Sequence, residues 1–400
     1  MKRFFTLLLG EGFRVFFLIA VLFALVALSL WLAAYFGGLA LLPERLPPTD
    51  WHAHELVFGY GGAALAGFFL TAVPNWTGAK AARHLYIGTA AAIWLSARMA
   101  VFFIDFLPIG VVSLLALSFA PFLGAKIALQ LIRKPKLQNL VFLIFLAAFW
   151  TGDLLVQLDW LDLPAGDAAT GLRVGLLALV SMIIVLGGRV APAFTRNAMH
   201  RAGIEKDMPS DPQIFTPLAI AAGLVLPLSE LVFGDSWWTG SVMILSGGFV
   251  LLRGLKWHTR FQWTQPILWT LHLSYGAVGL GLLLWGGALM GIGDDVAALH
   301  FLAIGGVGGM TVSVMSRASL GHAGRPLVAP GGVALAYLLL PCGALLRWAG
   351  GWIGGAAYVP LVLLSGLIWC LAFALVAAAF WPILTSPRPP RAPVGPPPVK

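Results

Sequence analysis

Two histidines and a glutamate stand together at the start of a long apolar segment, where they could bind a metal. His52, His54 and Glu55 follow one another closely in the chain. Imidazole is the commonest metal ligand and needs a second group to fix its tautomer. On a helix, His52 and His54 are rotated by about 200° and cannot chelate one ion. Glu55 shares a face with His52 and is the predicted catalytic residue, as orienting group, ligand or proton relay.

Further ionisable residues are predicted at a similar depth in other helices. They are His300, Arg98 and Asp153, while His272 lies nearer the midplane. A charge inside a membrane is costly unless it is paired, so each is a functional candidate. Arg98 is predicted to pair with Asp153 or with the carboxylates of a bound cofactor. Each histidine alone is equally well explained by helix packing, but the group together favours a site.

A second polar layer is predicted at the opposite ends of the helices. It contains Arg189, Arg196, Arg317, His322 and Arg325. The segment from Ser316 to Pro326 is too polar and too rich in glycine to serve only as a connector. The alternative for each arginine is positive charge that sets the orientation of the chain in the membrane.

The elements that position these residues are membrane helices. Of the 400 residues, 60% are hydrophobic and 10% are charged, whereas soluble domains carry about 25% charge. A span needs roughly 20 apolar residues. The segments of that length lie at about 13–42, 52–75, 84–106, 108–132, 138–159, 170–193, 215–233, 236–256, 264–290, 295–316, 330–349 and 355–383. The sequence therefore predicts an all-α polytopic helical bundle with about twelve transmembrane helices.

The distribution of charge predicts the orientation. Of 25 Lys and Arg residues, only Arg45, Arg173 and Arg347 fall on outer segments, with Arg98 inside a helix. Positive charge marks the cytoplasmic side, so both termini are predicted to be cytoplasmic in a bacterial inner membrane. The net charge of +9 lies in short loops and does not predict binding to nucleic acid. Residues 1–384 form the predicted membrane domain, and 385–400 a disordered Pro-rich cytoplasmic tail.

Related polar motifs end the second, sixth and tenth predicted helices. Pro74 and Pro192 lie 118 residues apart, and Arg196 and Arg317 lie 121 apart. This spacing predicts a threefold repeat of a four-helix unit. Twelve helices with an internal repeat also fit a transporter of metal or haem.

Three motifs resemble those of the NnrS family. They are WHAHELVFGY followed by GAALAGFFLTAVPNWTG from Trp51 to Gly78, GGRVAPAFTRNAM from Gly187 to Met199, and HFLAIGGVGGMTVSVMSRASLGHAGRPL from His300 to Leu327. The resemblance runs from the first to the last predicted helix. It implies a bacterial inner-membrane protein that contains haem and copper and is associated with nitric oxide and resistance to nitrosative stress.

The positions of these residues in the two polar layers, taken together with the resemblance, suggest a role for each of them. His54 and His300 are the predicted haem ligands, Arg98 pairs with the propionates, and Arg189 and Arg317 contribute to cofactor binding. The predicted metal ligands are His52, His54, His272, His300 and His322. The expected function is binding, and reduction or detoxification, of nitric oxide as a reductase-type oxidoreductase. A quinol or a redox protein must then supply electrons, and a nitric oxide sensor or scavenger without turnover is the alternative.

Overall fold

The protein is described by a computed structural model for residues 2–257 and 259–390, and within these ranges it consists of α-helices without strands. Twelve long helices lie close to the predicted spans. They are α1 (Gly12–Tyr35), α2 (Pro48–Thr77), α3 (Leu85–Phe102), α4 (Ile109–Arg133), α5 (Leu137–Trp160), α6 (Ala168–Arg201), α7 (Phe215–Phe233), α8 (Trp237–Gly254), α9 (Pro266–Leu289), α10 (Asp295–His322), α11 (Gly331–Ile353) and α12 (Tyr358–Thr385).

Eleven helices in the described part of the chain are long and apolar enough to cross a membrane. The exception among the twelve is α8, which has 18 residues and packs between α7 and α9. A Cβ added to Gly247 of α8 would lie 2.5 Å from the carbonyl oxygen of Gly279 in α9. The all-α multi-pass membrane fold is therefore confirmed, and the predicted span 236–256 corresponds to a less apolar helix held closely against its neighbour.

Arg14 ties the beginning of α1 to the end of α12. Its guanidinium donates to the carbonyl oxygens of Leu384 at 2.8 Å and Ser386 at 3.0 Å and pairs with Glu11 at 2.8 Å. A cation at a helix C-terminus also interacts favourably with the helix dipole. The beginning of α1 and the end of α12 therefore lie at the same end of the bundle, which we call the inner end. The predicted tail continues into 391–400, which lie outside the described residues.

The helices α2 and α10 contain a π-helical segment near their outer ends. In α2 it covers Glu55–Tyr60, and in α10 it covers Leu302–Gly308. The helix α6 is α-helical over its whole length. Segments of π-helix are rare and are frequent at functional sites. Two members of the predicted threefold repeat therefore share a local feature that the third lacks, and the repeat itself stays a prediction.

Glycines bring α5 and α6 into backbone contact. A Cβ on Gly152 would lie 2.5 Å from the carbonyl oxygen of Gly171 and 2.7 Å from the backbone nitrogen of Gly175. Small residues permit this close approach of membrane helices. The polar residue Asp153 follows Gly152 directly on α5, so its position depends on this close approach of α5 and α6.

The substitution Gly152→Ala should lower the thermal stability of the detergent-solubilised protein. The added methyl group meets backbone atoms that cannot rotate away, so the helices must separate, at a cost of about 1–3 kcal/mol. Thermal unfolding followed by intrinsic fluorescence measures the change. The matched control is Gly276→Ala, where an added Cβ would meet no atom within 4 Å. Equal melting temperatures for the two variants would contradict the tight contact.

Candidate functional site

A buried polar network surrounds His54 in the outer half of the bundle. Its Nδ1 lies 2.9 Å from Oε1 of Glu55, and its Nε2 lies 3.1 Å from Oδ1 of Asp153 on α5. Gln157, one turn further along α5, donates to the same Asp153 oxygen at 3.2 Å. Arg98 of α3 donates to Oε1 of Glu55 at 2.5 Å. Three helices therefore meet through four ionisable groups and one amide.

The network includes His54 and Arg98, the side chains that were predicted from the sequence to bind haem. His54 is fully buried, and Arg98 is only 5% exposed. Both ring nitrogens of His54 already face carboxylate oxygens, and Arg98 pairs with Glu55 instead of Asp153. Glu55 contacts His54 instead of the His52 that shares its predicted face. The haem roles of His54 and Arg98 stay predictions, while the geometry gives both residues partners within the protein.

The imidazole that lies beside His300 belongs to His52. The two rings are parallel within 4°, and their centroids are 6.3 Å apart. Nδ1 of His300 donates to the backbone oxygen of Val296 at 2.7 Å, which leaves its Nε2 as the nitrogen with a free lone pair. Nδ1 of His52 is buried without a hydrogen-bond partner. Residues from the beginnings of α2 and α10 thus form a histidine pair, His52–His300.

The rotation of the helix explains why His52 and His54, although close in sequence, have different neighbours. The residues Pro48–His54 are α-helical, so His52 and His54 project to opposite sides, as the sequence predicts. His52 stacks on Trp31 of α1 at a centroid distance of 4.5 Å, whereas His54 faces Trp160 of α5 at 4.8 Å. The histidine pair and the His54 network therefore lie on two faces of one helix.

Arg347 of α11 accompanies the histidine pair. It is 6% exposed, and its Nη1 is buried without a hydrogen-bond partner. It lies on α11, which packs against the beginning of α10, the segment that carries His300. Its guanidinium lies 5.7 Å from the ring centroid of Tyr358. The sequence indicates only an outer charge at Arg347, because the predicted span ends at 349, two residues later. In the structure, α11 continues to Ile353 and places Arg347 more than one turn inside the helix.

The remaining predicted metal ligands lie toward the inner end. His272 is buried on α9, with Nε2 2.8 Å from the hydroxyl of Thr195. His322 ends α10 and lies beside the Phe13 ring at 5.5 Å. Since 22 residues separate His300 from His322, the two are roughly 30 Å apart along α10. The structure brings neither His272 nor His322 to the histidine pair.

The two arginines predicted to bind a cofactor also lie toward the inner end. Arg189 donates to the backbone oxygen of Gln138 at 2.5 Å and lies over the ring of Phe142. Arg317 lies over the ring of Phe194, with its guanidinium carbon 3.7 Å from the centroid. Neither arginine joins the outer groups, and their predicted cofactor roles stay predictions.

A small apolar cavity lies between α1, α2, α6 and α10. Its volume is about 60 Å³, and its walls include Leu65, Met182 and Met310. The polar group at its edge is Thr311, whose hydroxyl hydrogen-bonds that of Tyr60 at the end of the first π segment. Such a cavity suits a small uncharged molecule better than water, which needs several polar partners.

The described residues contain no group of three or more His, Cys, Asp or Glu side chains that could hold a metal ion. The histidine pair offers two nitrogen ligands and no third protein ligand. A centre that takes three or four ligands from the protein does not fit this donor set. The donor set does fit a metal that is already bound within a cofactor and needs only one or two ligands from the protein.

Comparison with known families covers nearly the whole chain. The sequence profile of a family described as NnrS protein matches residues 7–388. The matched range includes the histidine pair, the His54 network and Arg347. A search of curated proteins finds no match.

The pairing of Arg98 with Glu55 predicts strong energetic coupling between them. Arg98→Leu leaves a carboxylate buried without its cation and should destabilise the protein by about 3–5 kcal/mol. Arg98→Leu combined with Glu55→Gln should cost much less than the sum of the single changes. Chemical unfolding in detergent, read as a double-mutant cycle, measures the coupling. Arg45→Leu, on an exposed outer loop, is the control for loss of charge. Additive effects of the two substitutions would contradict the pairing.

Proposed function

The chain belongs to the NnrS family, and from this premise we propose that it is a haem protein that binds nitric oxide and reduces it. It is a multi-pass membrane protein, and its family membership associates it with nitric oxide. The finer assignment of haem to His52 and His300 is our proposal. We also place the protein in the bacterial inner membrane with both termini in the cytoplasm, on the basis of the charge distribution.

The spacing of the histidine pair is the observation that carries the proposal. Two imidazole nitrogens bound to one metal at about 2.0–2.1 Å place the ring centroids roughly 6 Å apart. The rings of His52 and His300 are separated by 6.3 Å. Haem iron takes four nitrogens from its macrocycle and only one or two ligands from the protein. The pair therefore meets the requirement of haem without the third residue that the site lacks.

The surroundings of the pair also fit haem. The hydrogen bond from Nδ1 of His300 to the backbone of Val296 fixes the tautomer in which Nε2 can bind a metal. The buried Nη1 of Arg347 has no partner. Haem carries two propionates, and a planar guanidinium binds carboxylates with two parallel hydrogen bonds. We therefore assign propionate binding to Arg347, because Arg98 is already paired with Glu55.

The donor set does not fit a copper centre with three protein ligands. Copper in proteins is typically held by histidine, cysteine and methionine side chains. The described residues contain no group of three or more His, Cys, Asp or Glu side chains that could hold a metal, and both cysteines, Cys342 and Cys370, lie on other helices, α11 and α12. Copper stays a prediction from the resemblance, and we derive no chemical step from it.

Each part of the outer half has a role in this proposal. Haem, when bound, would supply iron for electron exchange with nitric oxide. His54 and Glu55 of α2, which lie within one helical turn of His52, form with Asp153 of α5 a chain of groups that can carry protons. The apolar cavity between α2, α6 and α10 suits nitric oxide, which is small and uncharged. Electrons come from a partner, a quinol or a redox protein.

Substitution of either histidine of the pair should remove bound haem. His52→Ala and His300→Ala are each expected to lower the haem retained per protein about tenfold or more, because one of the two residues that would hold the iron is lost. The Soret absorbance of the purified protein and extracted haem measure this. His54→Ala should keep its haem and instead lose stability. His200→Ala, on an exposed inner-end residue, is the control for loss of a histidine. Retention of haem in both His52→Ala and His300→Ala would refute the assignment, and loss in His54→Ala with retention in His52→Ala would restore His54 as the ligand.

The same preparations test the reaction. Wild-type protein should consume nitric oxide anaerobically over many turnovers with a quinol as reductant, and His52→Ala should not. Consumption that stops at one equivalent identifies a scavenger or sensor. A colourless protein from cells supplied with haem precursor and iron points to a transporter.

Arg347→Gln should weaken haem binding while leaving both histidines of the pair in place. Loss of a charged hydrogen bond worth about 1.5–3 kcal/mol corresponds to haem release roughly ten to a hundred times faster. Transfer of haem to apomyoglobin, followed by absorbance, measures the rate. Arg45→Gln, which removes an exposed outer charge, is the control. An unchanged rate in Arg347→Gln would remove this residue from the haem site.

A further inference from the structure

A second, larger cavity lies at the inner end, apart from the histidine pair. Its volume is about 330 Å³, and it lies between the inner ends of α6, α9 and α10. Two arginines, Arg201 and Arg317, line it together with the amide side chain of Gln265. Phe261 and Leu327 contribute apolar surface. The cavity therefore combines positive charge with an apolar wall.

The guanidinium of Arg317 is buried without a carboxylate partner. The residue is 9% exposed, and its Nε is buried without a hydrogen bond. The guanidinium lies over the face of the Phe194 ring at 3.7 Å, and this cation–π contact orients it and partly stabilises its charge. Among the described residues no carboxylate forms an ion pair with it. A buried charge of this kind costs free energy unless an opposite charge is supplied.

Arg201 adds a like charge to the same cavity. Both arginines line this cavity, so their positive charges repel each other across it. Arg253, by contrast, is also buried but pairs with Asp211 at 2.8 Å and donates to the backbone of Gly188 at 3.0 Å. The fold can thus neutralise a buried arginine with an acid and does so nearby. The cavity instead holds two arginines and no acid.

We propose that this cavity is a binding site for a phosphate-type oxyanion. Arginine binds phosphate with paired, charge-assisted hydrogen bonds. An anion between Arg201 and Arg317 would replace their mutual repulsion with attraction and give Nε of Arg317 an acceptor. The anion is either the phosphate of an anionic lipid headgroup at the inner membrane surface or a free phosphate ion. The apolar wall of Phe261 and Leu327 fits the glycerol and upper acyl chain of a lipid.

The two sources are separated by two probes added to the full-length purified protein. The first is inorganic phosphate, compared with sodium chloride of equal ionic strength in neutral detergent. The second is phosphatidylglycerol, compared with phosphatidylcholine in nanodiscs. The melting temperature should rise with at least one anionic probe, because a ligand that binds only the folded state stabilises it.

Substitutions assign the effect to the cavity. Arg317→Gln should raise the half-saturating concentration of the effective probe about tenfold or more. Arg201→Gln should do the same and, being exposed, leaves the interior unchanged if Arg317→Gln fails to fold. Arg133→Gln removes an exposed inner-end charge away from the cavity and should bind as wild type.

The outcomes are distinct. Stabilisation by phosphate identifies a site for a free anion, and stabilisation by phosphatidylglycerol alone identifies a lipid headgroup site. No stabilisation by either probe, or equal stabilisation of wild type and Arg201→Gln, overturns the proposal. None of these results depends on haem, so they leave the proposed function of the outer half unaffected.

Discussion

Inside a bilayer no water compensates a buried charge, and this constraint applies to every buried ionisable group among the described residues. Each must find its partner within the chain or in a ligand. Arg14 finds it in the carbonyl groups that end α12, and Arg253 in Asp211. In the outer half, Glu55 and Asp153 are matched by Arg98 and His54. Arg14 joins the first and last long helices, and His54 joins α2 to α5, so contacts that neutralise charge also hold helices together that are distant in sequence.

The same constraint gives meaning to the groups that have no partner. His52, Arg347 and Arg317 each retain a buried nitrogen without a hydrogen bond. They differ in surroundings: His52 faces a second imidazole, whereas Arg317 faces a second cation and an aromatic ring. An imidazole pair is complementary to a metal ion, and a pair of cations is complementary to an anion. The chemistry proposed for each end of the bundle follows from what neighbours the unsatisfied group.

The sequence predicts the helices and the two polar layers because hydrophobic length and the placement of Lys and Arg are local signals. It also predicts that His52 and His54 face apart. It cannot tell which of them meets His300, since that depends on how α2 is rotated against α1, α5 and α10. The π segment that begins at Glu55 changes this rotation and has no sequence signature. Arg347 is missed for a related reason, because the sequence does not show that its helix packs against the beginning of α10.

The separation of His52 and His300 is set by helix packing, since no direct hydrogen bond between the rings fixes it. After His300, α10 enters its π segment and is rich in glycine, which has low helix propensity. These glycines pack closely: a Cβ on Gly308 would lie 2.7 Å from the Trp369 ring, and one on Gly309 would lie 2.6 Å from Ser274. Trp369 in turn donates to the backbone of Ala24 on α1 at 3.2 Å. Because α1 also carries the Trp31 that stacks on His52, both rings are positioned from the same helix, and their spacing is a property of the assembled bundle.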